Sequence, residues 1–232
     1  TPLQKKRKAP HRLLELLQAI VALGSRAVPV SQLIDQLWPQ SDGDRAVATF
    51  EKTLKRLRHY LALGPVILVN HGTISLDPER CWVDAWAFEH ELSRVQEDTG
   101  SAGTRPWRVH FRKALSLYRG PFLPGQSTKP WATATRARLR AGFIRAVARL
   151  SDHLQQRAEP KQAIKWLNRG LLVDPHAEAL YVPLIGCLQA TGRNTEARAV
   201  YHQCVGVFVG ELRQQLPDGV KRLSKNVLSP SG

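Results

Sequence analysis

The sequence predicts a mainly α-helical chain in two parts: three helices closed by a small β-hairpin, then an all-helical domain of repeated helix pairs. Three observations predict it. Apolar residues recur at helical spacing through most of the 232 residues, and short β-rich runs fall only near the end of the first third. The segment 44–61 carries apolar residues on one helical side and hydrogen-bond donors on the other. A shift of 34 residues lays Leu150 on Leu184, Leu154 on Leu188, Ala158 on Gly192 and Ala163 on Ala197.

Residues 1–10 form a basic lead-in. His11–Leu23 follows as a helix, with Leu13, Leu14, Leu17, Ile20 and Val21 as its apolar side and Gly24 as its stop. Val28-Pro29-Val30 is extended, because a proline disfavours the α region at the residue before it. Ser31 is expected to cap a second helix through Trp38, and Asp44 a third to Leu61, whose stripe is Ala46, Phe50, Leu54, Leu57 and Leu61. Gly64-Pro65 ends it. Val66–Val69 and Thr73–Leu76 form a hairpin around Asn70-His71-Gly72, with glycine at a positive φ. Trp82–Val95 starts extended and turns helical. Residues 96–106 are polar and rich in Gly, Ser and Pro, and read as a linker between a domain over 1–95 and one over 107–232. Further helices are expected over 109–118, 131–157, 161–173, 177–190 and 195–212. A small residue at a helix-pair contact lets two helices approach, and stacked neighbours supply the core one pair lacks. That logic and the 34-residue period read as tetratricopeptide-like.

The net charge is +15, unevenly spread: +3 over residues 1–95, +8 over 96–160 and +4 over 161–232. A basic chain suggests an anionic partner, most often nucleic acid. No stretch reaches the roughly 20 apolar residues of a membrane helix, and no secretory signal is visible, so a cytoplasmic setting without a membrane partner is expected. Cys81, Cys187 and Cys204 lack metal or disulfide spacing and read as reduced thiols packed as small hydrophobes. The absence of methionine, even at position 1, reads as a piece of a longer chain, or as a processed or cloned fragment. No phosphate loop, dinucleotide fingerprint, nucleophile elbow or metalloprotease pair occurs. The expectation is therefore no enzyme, no cofactor and no metal site.

At 100° per residue, Arg45, Thr49, Lys52, Lys55, Arg56 and His59 gather on the side of the third helix opposite Phe50 and Leu54. A helix of that width fits the major groove, where Arg and Lys donate to guanine edges and to phosphates. Helix, short helix, loop, long basic helix, hairpin is the order of a winged helix-turn-helix. A solvated amphipathic helix is the plain alternative.

Val30-Ser31-Gln32-Leu33-Ile34-Asp35-Gln36-Leu37-Trp38 resembles the second helix of the OmpR-type winged helix. Leu54-Lys55-Arg56-Leu57-Arg58 resembles the end of its recognition helix. Trp82-Val83-Asp84 and Trp86-Ala87-Phe88-Glu89 are similar to the segment leaving this domain in the actinobacterial antibiotic-regulatory proteins. The resemblance implies contacts with double-stranded DNA at Arg45, Thr49, Lys52, Lys55 and Arg56, with a wing at His71 and Thr73. The chain departs from that pattern in two places. Only ten residues precede the first helix, where the family has a small sheet, and the wing run Gly72–Leu76 lacks the family's aromatic and basic residues.

Ala114-Leu115-Ser116-Leu117-Tyr118-Arg119-Gly120-Pro121-Phe122-Leu123-Pro124-Gly125, with Trp131 and Arg138-Leu139-Arg140, resembles the hallmark of the bacterial transcriptional activator domain. That resemblance implies a tetratricopeptide-like module for protein contact and self-association, and with it a transcription activator. Along the helix 131–157, Arg138, Arg145 and Arg149 lie roughly opposite Leu139, Phe143, Val147, Leu150 and Leu154. They form an expected anion or partner surface, facing DNA phosphates, RNA polymerase or a nucleotide, unless they are simply solvated. Arg136 points toward the apolar side and is expected to pair with a carboxylate or precede the helix. A homodimer and upstream sensor or ATPase domains are further expected partners. The rival reading is a scaffold that does not bind DNA, with the winged helix docking protein and the helical repeat taking a partner or an anionic effector.

Overall fold

The computed structural model describes residues 11–24, 27–61, 66–97, 106–125 and 129–228. In order, the elements are α1 (His11–Leu23), β1 (Val28–Pro29), α2 (Val30–Leu37), α3 (Gly43–Leu61), β2 (Ile67–Asn70) and β3 (Thr73–Leu76). Then come α4 (Asp84–Glu97), α5 (Pro106–Leu117), α6 (Pro130–Gln156), α7 (Pro160–Val173), α8 (Glu178–Ala190), α9 (Asn194–Val205), a π-helical turn Gly206–Glu211, and α10 (Asp218–Leu228). The chain is mainly helical. It divides into two compact units: Thr1–Ala87 with Phe122–Ala137, and Phe88–Pro121 with Arg138–Gly232. The basic lead-in, Gly64-Pro65 and residues 98–105 of the expected linker lie outside the described residues.

In the first unit, β1, β3 and β2 form an antiparallel sheet in that order, with Val28 opposite Ile74 and Ile67 opposite Leu76. Pro29 sits on the edge strand, where its missing N–H costs no ladder bond. His71 and Gly72 both take positive φ, 47° and 75°, the signature of a tight type I′ turn that suits the twist of a hairpin. The core joins Leu16, Ile20, Leu33, Phe50 and Leu57 to Ile67, Ile74 and Leu76. Three local expectations change. Leu13, Leu16, Ala19 and Ile20 are the buried side of α1, while Leu14 is 39% exposed. The helix is apolar almost all round, so packing against α3 and β3 selects the face. Ser31 caps nothing: α2 begins at Val30, whose N–H donates to the Gly72 carbonyl at 2.9 Å, so the sheet turn satisfies that helix end. Asp44 lies inside the first turn of α3, where its charge complements the helix dipole.

The first unit also takes in the start of α6. Trp131 and Ala132 are 2% and 0% exposed in its core, and Thr135 donates to the Ala22 carbonyl at 2.9 Å. Arg136 finds no carboxylate; it donates to the carbonyls of Phe122 and Leu123 at 3.0 and 2.9 Å, pinning the Gly120–Gly125 bend.

In the second unit, Leu139, Phe143, Val147, Leu150 and Leu154 form the buried stripe of α6. Tyr118 stacks on Phe143 with centroids 4.5 Å apart. Arg169 lies over the same Phe143 ring and donates to the Tyr118 carbonyl at 2.8 Å. α7 packs on α8, and α8 on α9. The 34-residue period recurs in the backbone. Ala158 and Gly192 both sit at positive φ, 56° and 74°. The N–H of Glu159 reaches the Leu154 carbonyl as that of Arg193 reaches Leu188, both at 2.9 Å within 0.1 Å. Ala158 bonds Gln155 as Gly192 bonds Gln189. Each is a Schellman helix end with its C′ residue left-handed.

Candidate nucleic-acid interface

The third helix is held from one side and bare on the other. Ala46, Phe50, Thr53, Leu54 and Leu57 are its buried positions, and Trp38 meets Phe50 edge-on at 6.4 Å. Arg58 ties the helix to the sheet by donating to the Ile67 carbonyl at 2.9 Å. These anchors leave Arg45, Thr49, Lys52, Lys55, Arg56 and His59 exposed together. Among the described residues, no ion pair engages Arg45, Lys52, Lys55 or Arg56. A row of uncompensated cations on a rigid helix repels itself and suits a polyanion.

The hydroxyls are committed differently. Thr49 donates to the Arg45 carbonyl at 2.8 Å, and Thr73 to the Asn70 carbonyl at 2.7 Å. Their oxygens retain acceptor capacity, but their protons are spent locally. His71 stands exposed at the tip of the hairpin beside Gly72, while Thr73 is half-buried. Sequence reasoning missed one member of this face. Tyr60 is 37% exposed on the flank of the cation row, while Val47, 45% exposed, lies beside Leu54 at the edge of the apolar side. Val47, Leu54, Val69 and Gly72 line a groove of about 550 Å³ between α3 and the hairpin. The same angular arithmetic that found the cations would have placed Tyr60 beside them.

Part of the basic middle of the chain is paired with carboxylates. Arg138 pairs with Glu89 at 2.5 Å and Arg140 with Asp174 at 3.4 Å. Arg145 is exposed and Arg149 half-buried on the same helix. Burial raises the Glu89 carboxyl above its ordinary value, and Arg138 opposes that rise only in part. Lys113 and His110 hold buried Glu91 at 2.5 and 2.7 Å. Burial would raise that carboxyl, but its hydrogen bonds to His110 and Lys113 hold it below its ordinary value. Burial raises all three thiols, Cys204 to about 11, so none is poised as a thiolate nucleophile. Among the described residues no cluster of metal-ligating side chains forms, and no helix is long and apolar enough to cross a membrane.

Residues 83–228 match the bacterial transcriptional activator domain. The chain belongs to that family. The activator-domain match covers most of the second unit and begins just before α4. Most of the chain is also similar to regulatory protein AfsR of Streptomyces coelicolor, 28% identical over 215 residues. That alignment takes in 92% of this chain and 21% of the relative, so the chain spans about a fifth of that protein's length. Among solved structures, Mycobacterium tuberculosis EmbR in complex with a low-affinity phosphopeptide matches with a TM-score of 0.72 at 18% identity. That match covers 98% of this chain and 62% of EmbR, a likeness of fold. The activator-domain hallmark has a structural role of its own: Tyr118 anchors α5 to α6, and Arg136 fixes the bend that follows.

Proposed function

We propose that this chain is a DNA-binding transcription regulator, an activator acting in the cytoplasm as part of a larger regulatory protein. In this reading residues 1–95 form an OmpR-type winged helix-turn-helix. α3 enters the major groove with Arg45, Thr49, Lys52, Lys55, Arg56 and His59, and the hairpin approaches the backbone through His71 and Thr73. Residues 107–232 form a tetratricopeptide-like activator domain that serves self-association or contact with RNA polymerase. The observation that carries the reading is the unpaired cation row on the bare side of α3. The membership in the activator-domain family and the similarity to AfsR support it.

The test is binding to duplex DNA across a salt series. The logarithm of affinity should fall linearly with the logarithm of salt, because phosphate contacts release counterions. Arg56→Ala and Lys52→Ala should weaken binding with the melting temperature unchanged. Loss of a base-contacting Arg costs about 1–3 kcal/mol and relaxes preference at one position, while loss of a phosphate contact shortens the salt slope by about one. Unchanged affinity in both variants would remove α3 from the interface.

The scaffold reading keeps one observation in its favour, the balance of only +3 over residues 1–95. It expects no duplex binding even at low salt.

A further inference from the structure

A second cationic surface lies in the second unit, on α5. α5 buries Phe111, Ala114 and Leu115. Its opposite side carries Arg108, Val109, Arg112, Lys113 and Ser116, which with Arg157 line an open groove of about 790 Å³. Trp107 is its structural base. Arg108 and Arg157 lie over that ring at 5.3 and 5.6 Å from its centroid, and the His153 ring lies tilted against it at 4.9 Å. Such contacts hold a guanidinium in place without neutralising it.

The charges divide into two kinds. Arg108 is paired with Glu159, and Lys113 with Glu91. Among the described residues, no ion pair engages Arg112 or Arg157. Val109, the apolar member of the groove lining, is 62% exposed.

We propose that this groove docks an acidic segment of a protein partner, one in which carboxylates flank an apolar side chain. Two features choose this occupant over other anions. None of the lining cations is deeply buried, so a small phosphate or free nucleotide would stay hydrated and gain little. A nucleic-acid backbone would satisfy the arginines but leave Val109 facing a row of charged phosphates. A protein segment meets both demands: its carboxylates take the forked donors of Arg112 and Arg157 in paired bonds, and its apolar residue covers Val109. Recognition here is independent of the DNA-binding reading, since every residue involved lies in the second unit.

The experiment uses the full chain and a fluorescein-labelled 14-residue peptide alternating Asp/Glu pairs with Leu at helical spacing, read by anisotropy at low salt. A Gln/Asn version of the peptide is the charge control. Binding to the acidic peptide alone is expected. Arg112→Glu with Arg157→Glu should weaken it at least tenfold, and Val109→Ser several-fold with the same salt dependence. Lys165→Glu, at an exposed lysine of α7 outside the groove lining, should change it less than twofold. These side chains are at the surface, and thermal melts should coincide. The proposal is overturned if the acidic peptide does not bind, or if Lys165→Glu matters as much as Arg112→Glu. It is equally overturned if Val109→Ser is silent while duplex DNA displaces the peptide and itself loses affinity in the groove variants.

Discussion

Glu15 is a carboxylate on the buried side of α1, its side chain 3% exposed, and three basic groups reach it. Lys129 approaches at 2.5 Å, Arg12 at 3.0 Å and His11 at 3.9 Å. Burial by itself would raise its pKa, but the hydrogen bonds and charges of Lys129 and Arg12 leave it below the ordinary value. A carboxyl depressed in the folded state favours folding above its unfolded pKa of about 4.3. That contribution is lost as pH falls through the lower folded value. Chemical denaturation of the chain should therefore show an acid-side loss of stability that shrinks in Glu15→Gln. Lys129→Met should cost about 1.5–3 kcal/mol at neutral pH, the range for a charged hydrogen bond removed from a buried partner. An unchanged pH profile in Glu15→Gln would mean that other carboxylates set it. The sequence offers no hint of this cluster. Lys129 is more than a hundred residues from Glu15 and immediately precedes the helix that begins at Pro130.

At the scale of elements, two equivalent helix ends make opposite predictions from one geometry. Ala158 and Gly192 hold the same left-handed C′ position, and only the glycine does so without a Cβ penalty. Ala158→Gly should stabilise the second unit by up to about 1 kcal/mol, the relief of strain being partly offset by chain entropy. Gly192→Ala should cost about 1 kcal/mol; nothing lies within 4 Å of its would-be Cβ, so the backbone alone decides. Urea titrations of both variants check the pair, and changes of the same sign would refute the equivalence. Gly170 differs in kind. A Cβ there would meet Leu180 Cδ1 at 2.4 Å and Val147 Cγ1 at 3.2 Å. Gly170→Ala should then cost about 1–3 kcal/mol by overpacking. The helices themselves were legible because their apolar residues recur at helical spacing: the stripe of α6 is buried as spaced, and the α3 stripe is buried through Leu57. The end of α9 was less so. The run 195–212 reads as one helix, but the backbone widens to a π-helical turn at Gly206–Glu211, where two glycines weaken the α geometry. α10 was not foreseen: Val220, Leu223 and Val227 do recur at helical spacing, but the stretch after Pro217 spans only 11 residues.

At the scale of the whole molecule, the cation row on α3 could be read from angle alone. The completion of the core beneath it could not, because its last pieces come from residues 122–137. A pattern of periodicity assigns Trp131 to the long helix that follows, with no means of telling which unit buries it. In the structure Trp131 and Ala132 pack with the core of α1, α2 and the sheet, and Thr135 and Lys129 bond to α1. A fragment ending at residue 97 would lose all four contacts at once. Such a fragment should therefore be less stable than the same residues in the full chain. Trp131→Ala in the full chain should reproduce most of the loss, about 3–5 kcal/mol for a large buried aromatic. Amide hydrogen exchange separates the units. Protection of Leu16, Ala19 and Ile20 in α1 should fall in Trp131→Ala, and duplex binding by α3 should weaken with it, while Leu184 and Leu188 in α8 keep theirs. If the fragment 1–97 matched the full chain in α1 protection, the first unit would be complete without residues 122–137, and the packing of Trp131 would contribute nothing to the helix proposed to read DNA.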